Sequence, residues 1–213
     1  MLGVVAGLVG AFLIGRVTSD SSSMSAMPQG AELPSAIDIG FCQDMAAHHQ
    51  QAVLMAGLAG GRAGPAVAAL ADSILGPQSQ ELGAMRGWLR LWGQPAESST
   101  PMAWMSGDKA SDAGMSHLAP MSMHPDALML GMASPEELTD LWAKTGHDFD
   151  VLFLQLMIRH HQGGVAMAQY AAAHGTLDAV RQSAGEMVFQ QGTEIGEMNG
   201  LLKTYGAAPL PPS

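Results

Sequence analysis

The chain has 213 residues, room for one compact domain of about 100 to 150 residues once an apolar leader and a long polar stretch are set aside. Nine Lys plus Arg against 19 Asp plus Glu give a formal charge of −10 with no basic stripe, which excludes a nucleic-acid binder and makes cations the natural partners. Hydrophobic content is 47% but leans on alanine and 17 methionines, and the single cysteine, Cys42, excludes an intrachain disulfide.

Residues Leu2 to Gly15, LGVVAGLVGAFLIG, form an uninterrupted apolar run. As a helix it would span roughly 20 Å, short of a bilayer core of about 30 Å, which is the length of a signal peptide. The first basic residue, Arg16, lies on the far side of the run, opposite to the positive-inside pattern. Residues 1–17 are therefore expected to be a signal peptide or an N-terminal membrane anchor, with no small-residue cleavage site to choose between them. Residues 18–34 follow as a flexible linker, and the domain, 35–208, is expected outside the cytoplasm.

The first helix is predicted from about Ser35 to Ala59 and the second from Pro65 to Leu91, separated by the breaker GGRAGP and ended by Gly93 and Pro95. Pro77 is expected to kink the second. Residues 94–133 form an insertion, from QPAESSTP through a segment with seven methionines between Met102 and Met132. A loop this long inside a compact domain is usually functional or disordered. A short helix then starts at SPEE, with Ser134 as N-cap, Pro135 at the first position and Glu137 completing a capping box. Two further helices are predicted from about Phe149 to Ala173 and from Leu177 to Thr204, with Gly175 and Gly206 as stops.

The halves repeat one another. DIGFCQDMAAHHQQAVLMA from Asp38 returns 112 positions later as DVLFLQLMIRHHQGGVAMA from Asp150. One residue out of step, QSQELGAMRGWLRLWG from Gln78 returns as QGTEIGEMNGLLKTYG from Gln191. Each half is thus a helical hairpin, and two amphipathic hairpins predict an all-α, up-and-down four-helix bundle.

The repeat carries the chemistry. Met45, His48, His49 and Met55 pair with Met157, His160, His161 and Met167, and Glu81 and Met85 with Glu194 and Met198. At 100° per residue His48 and His49 straddle the apolar stripe, so one histidine of each pair should point inward and the other sit at the shoulder. Thioether sulfur is soft and neutral and suits Cu(I) and Ag(I), whereas imidazole also accepts Cu(II) and zinc; copper satisfies both donors. Asp38, Asp150, Glu81 and Glu194 add carboxylates. The plain alternative for any single methionine is core filling, and for the glutamates a solvated surface; a His-His pair reproduced in both halves weighs toward ligation. Cys42 pairs with Leu154, which favours core packing, and Gln43 and Gln155 are expected to hydrogen-bond helix ends. In the insertion, Met115, His117, Met121, Met123 and His124 place soft ligands at spacing two, as a flexible clamp or as a merely biased linker.

The motif D..F...M..HH..A..MA in both halves, with E(L/I)G.M.G(W/L)L behind it, resembles the DUF-305 family of extracytoplasmic ferritin-like four-helix bundles. The resemblance covers about Ser35 to Gly93 and Thr139 to Ala208. It implies periplasmic or secreted copper binding, with silver also accepted, through Met45, His48, His49, Met55, Met157, His160, His161 and Met167. Gly163 and Gly164 replace Gln51 and Ala52 of the first half, a departure expected to loosen the second motif helix.

Together these features predict an exported or anchored protein that sequesters or hands on copper without catalytic turnover. A ferritin-like redox enzyme with a dinuclear iron or manganese centre competes with it. Such sites need Glu-x-x-His, and here methionine stands three residues before His48 and His160. In a third reading the motif only specifies packing and the insertion contacts a partner. No nucleophile-and-base pair or phosphate-binding glycine loop is present.

Overall fold

A computed structural model of the chain describes residues 32–106 and 129–211. The leader 1–17, nearly all of the linker, and Met115, His117, Met121, Met123 and His124 lie outside the described residues. Five α-helices and no strand occur among the described residues: α1 (Ala36–Gly57), α2 (Pro65–Leu91), α3 (Pro135–Ala143), α4 (Gly146–His174) and α5 (Asp178–Thr204), with a 3₁₀ turn at Ala103–Ser106. The fold is all-α, as the repeat implies. None of these helices is long and apolar enough to cross a membrane.

The sequence signals set the helix starts. Ser35 caps α1, its hydroxyl accepting from the Asp38 amide while the Asp38 carboxylate accepts from the Ser35 amide; Ser134 and Glu137 form the same box on α3. Pro65 occupies the first position of α2, where its missing N–H costs nothing. The helix runs on through Pro77. Helix α4 starts at Gly146, three residues earlier than expected.

Helices α1 and α2 form one hairpin and α4 and α5 the other, and the two meet along α1 and α4. Each motif helix also holds the other hairpin's turn. Asp38 accepts from the amides of Thr176 (3.1 Å) and Leu177 (3.2 Å) in the α4–α5 turn, and Asp150 accepts from the amide of Gly64 (3.0 Å) in the α1–α2 turn. Gln43 and Gln155 act in the same paired way, donating to the carbonyls of Pro95 and Ala208 just past the ends of α2 and α5. These bonds satisfy turn and helix-end groups that apolar packing alone would leave open.

Both ends of the insertion are tied to α1. The buried Asp44 carboxylate accepts from the Met102 amide (2.6 Å) and from Trp104 Nε1 (2.8 Å), which seats the 3₁₀ turn against Phe41 and Gly40. Met102 is held there at φ +64°, a backbone state that a side chain of this size rarely adopts. At the other end the Gln51 amide makes two bonds to Ala133, donating to its carbonyl (2.9 Å) and accepting from its N–H (2.7 Å).

That second tie accounts for Gly163, whose expected role was to loosen α4. Helix α4 is continuous there, and a Cβ on Gly163 would overlap the Leu130 carbonyl. Glycine makes room for the end of the insertion to cross the helix. Gly163→Ala should therefore destabilise the domain by about 1–3 kcal/mol, the usual cost of overpacking. Gly83→Ala in α2, where a Cβ meets nothing within 4 Å, should stabilise it by about 0.5–1 kcal/mol. Thermal melts of the two variants give opposite shifts if this account holds.

Candidate metal centre

The buried side chains fall into two apolar clusters. One holds Phe41, Cys42, Met45 and Ala46 of α1, Met85 and Leu89 of α2, Met167, Ala168 and Ala171 of α4, and Val180, Ala184 and Met187 of α5. The other holds the opposite halves of the same helices, including Met55, Ile74, Met157 and Met198. Between them every long helix carries polar residues: His48 and His49, Gln78 and Glu81, His160 and His161, Gln191 and Glu194. The result is a buried polar layer with three of the motif methionines on each side, Met45, Met85 and Met167 against Met55, Met157 and Met198.

All four histidines are buried, none more than 1% exposed, and this corrects the expectation that one of each pair sits at a shoulder. Helix α1 is covered on one side by α2 and on another by α4, so both sides of its stripe face protein. His48 and His160 meet across that second contact as stacked rings, centroids 3.6 Å apart and planes 29° from parallel. His49 and His161 turn toward the second helix of their own hairpin, where Nε2 lies 2.7 Å from Glu81 Oε2 and 2.7 Å from Glu194 Oε2 respectively.

These partners fix the tautomer. His48 Nε2 lies 3.1 Å from the Leu130 carbonyl and His160 Nε2 3.1 Å from the His48 carbonyl. A carbonyl only accepts, so both of these Nε2 atoms carry the hydrogen, and in His49 and His161 it is the same nitrogen that meets the carboxylates of Glu81 and Glu194. In the neutral ring Nδ1 is then a bare lone pair. All four Nδ1 atoms are buried and without a hydrogen-bond partner among the described residues. This is the arrangement of a metal-ligating imidazole, which donates its other N–H to a carbonyl or carboxylate. Burial and the neighbouring imidazoles push His48 down to about 3 and His160 well below the ordinary histidine value, so both are neutral at physiological pH.

The six motif methionines, Met45, Met55, Met85, Met157, Met167 and Met198, are fully buried. Asp38 and Asp150 lie ten residues before His48 and His160, about 15 Å along the helix axis; backbone amides engage both, and Asp150 also accepts from the Tyr205 hydroxyl at 2.8 Å. Glu194 is buried and Glu81 half-buried, each against the histidine of its own hairpin, and Glu194 also lines a groove with Glu186, Glu197 and Phe189 of α5 and Ser73 of α2. Cys42 is buried, its thiol pushed up to about 12 chiefly by burial and then by the Asp38 charge, as a packing residue would be. Among the described residues no three His, Cys, Asp or Glu side chains converge closely enough to hold a metal ion.

A family model described as a domain of unknown function, DUF305, matches residues 38–202. The chain belongs to the DUF305 family. Among solved structures, a DUF305 protein of Streptomyces coelicolor, described as a candidate secreted protein, is 36% identical with a TM-score of 0.70, covering 82% of this chain and 97% of that one. A DUF305 fragment from Deinococcus radiodurans is 29% identical with a TM-score of 0.65, covering 81% and 99%. CopM in its Cu(II)-bound form is 25% identical with a TM-score of 0.57, covering 79% and 97%. No curated protein matches the chain.

Sequence reasoning missed three parts of this DUF305 layer. Gln78 and Gln191 head the second repeat, and their pairing was visible there. The Leu130 carbonyl has no side-chain signature. The Gly163–Gly164 pair was visible as a departure from the repeat, but its meaning depends on what crosses the helix.

The neutral histidines set a pH dependence in the metal-free domain. Unfolded, His48 takes a proton below about 6.5; folded, it does so only near 3. The unfolded state therefore binds more protons across that window, and stability present above 6.5 is lost as pH falls toward 3. Melts from about pH 7.5 to about pH 4.5 should fall in Tm, and the slope should flatten in His48→Leu combined with His160→Leu; an unchanged slope in that variant would contradict the assignment.

Proposed function

We propose that this DUF305 protein binds copper outside the cytoplasm, sequestering or delivering it without catalytic turnover. The observation that carries the reading is the buried layer of four imidazoles, their Nδ1 atoms unpartnered among the described residues, between two sets of three thioethers. An unpartnered buried polar atom costs about 1–3 kcal/mol, and a soft cation that accepts both nitrogen and sulfur lone pairs would relieve it. The matched relative CopM, bound to Cu(II) in one structure and to Cu(I) and silver in others, supports the choice of metal. The apolar leader and the description of the Streptomyces coelicolor relative support the location.

In this reading Met45, Met85 and Met167 serve one side of the layer and Met55, Met157 and Met198 the other, with His48, His49, His160 and His161 between them. Glu81 and Glu194 hold two of the rings in the ligating tautomer and supply negative charge near the bound cation. Met115, His117, Met121, Met123 and His124 would add soft donors from the insertion. Copper, when bound, supplies the positive charge and soft acceptor orbitals that this donor set lacks.

Anaerobic Cu(I) titration of the full chain against a chromophoric chelator tests the reading, beside a variant lacking residues 107–128. Tight binding that survives the deletion is expected. Met45→Leu with Met167→Leu should lose about 10-fold or more in affinity for one set of ions and leave the other set intact, because Met and Leu exchange in a core for less than about 1.5 kcal/mol. Binding no tighter than that of a weak chelator would overturn the proposal.

A further inference from the structure

The polar layer contains two side chains that the Met/His reading does not use. Gln78 and Gln191 are each 2% exposed, and neither the oxygen nor the nitrogen of either amide has a hydrogen-bond partner among the described residues. Buried amides are nearly always paired, so four orphaned atoms in one layer call for an explanation.

Gln191 has the more specific setting. A Cβ on Gly164 would overlap Gln191 Oε1, and it would stand 3.2 Å from both Gln191 Cδ and His48 Cε1. The carboxamide of α5 thus reaches across α4 to the edge of the His48 ring, and it does so because residue 164 has no side chain. His48 Nε2 is engaged by the Leu130 carbonyl, which leaves Nδ1 as the open nitrogen of that ring. In the first half of the repeat Ala52 stands where Gly164 does in the second, so the same opening is not made for Gln78. The pair of glycines therefore has two distinct tasks. Gly163 admits the insertion, and Gly164 admits an amide.

We propose that Gln191 is an oxygen ligand of the layer, which with His48 Nδ1 gives the site a nitrogen-and-oxygen donor set for Cu(II) beside the sulfur-rich set for Cu(I). The inference rests on the copper reading above. A carboxamide oxygen is a neutral hard donor that suits the divalent ion and offers little to the soft monovalent one. Loss of this oxygen should separate the two oxidation states, which loss of packing would not.

The test uses the full chain and its Gln191→Leu variant, with affinities for Cu(II) in air and for Cu(I) under anaerobic conditions, each by chelator competition, and the EPR spectrum of the Cu(II) form. Gln191→Leu removes a buried amide that has no partner, so the metal-free variant should melt at or above the wild-type temperature. Its Cu(II) affinity should fall by about 10-fold or more with a changed EPR spectrum, while its Cu(I) affinity stays within about 2-fold. Gln78→Leu is the matched control and should leave the Cu(II) spectrum unaltered. If Gln191→Leu folds poorly, Gln191→Asn, which withdraws the amide by one methylene, carries the same comparison.

Unchanged Cu(II) binding, equal losses of Cu(I) and Cu(II), or an equal loss in Gln78→Leu would each overturn the proposal and leave the copper reading standing. A wild-type chain that binds neither ion would overturn both.

Discussion

Four imidazoles inside a helical domain must place four ring hydrogens on acceptors, and that constraint organises the centre of this protein. Two are met by carbonyls, of Leu130 and His48, and two by the carboxylates of Glu81 and Glu194. At His48 and His160 the hydrogen leaves through Nε2, so Nδ1 is left bare, and burial keeps both rings from answering with a second proton. A core chosen for stability alone would fill these positions with leucine. The two apolar clusters on either side stabilise a layer that is costly by itself, the pattern expected when a buried polar group is kept for binding.

The duplication explains how such a layer stays rigid. Each motif helix begins with an aspartate that grips the other hairpin's turn and carries a glutamine that grips the chain beyond its own hairpin. The halves are thereby clamped at both ends, with the histidines near the middle. Where the repeat breaks, the insertion is the cause at one position: it occurs once, it returns over α4 at Leu130, and Gly163 accommodates it. The same residue, Leu130, supplies the acceptor for His48. The insertion is thus part of what orients a candidate ligand, whatever its methionines contribute.

Much of the fold was legible because its signals are local. Ser35, Ser134, Pro65 and the GGRAGP breaker mark helix ends through capping and backbone chemistry that act within a few residues, and the repeat made the two hairpins plain. The family resemblance rested on the same motifs and is matched over residues 38–202. The depth of the histidines was not legible. A helical wheel shows one covered face, whereas α1 and α4 are each covered by two neighbours, and a count of faces needs the tertiary arrangement. Asp38 and Asp150 were offered as donors by their charge, and their engagement with turn amides 138 and 86 residues away has no trace in local sequence. Gln78 and Gln191 stand out in the sequence only as repeat partners, and an amide becomes informative only when its burial and its lack of partners are known.

The most direct measurement is of the ring nitrogens themselves. Long-range proton–nitrogen correlation spectra of the 15N-labelled full chain, before and after addition of Ag(I) as a diamagnetic soft ion, report the tautomer and any metal bond at each histidine. The account predicts the Nε2–H tautomer at His48, His49, His160 and His161 in the metal-free protein, and a silver-induced shift at Nδ1 with Nε2 still protonated. Hydrogens found on Nδ1 in the metal-free protein, or Nδ1 signals that silver leaves unmoved, would contradict it.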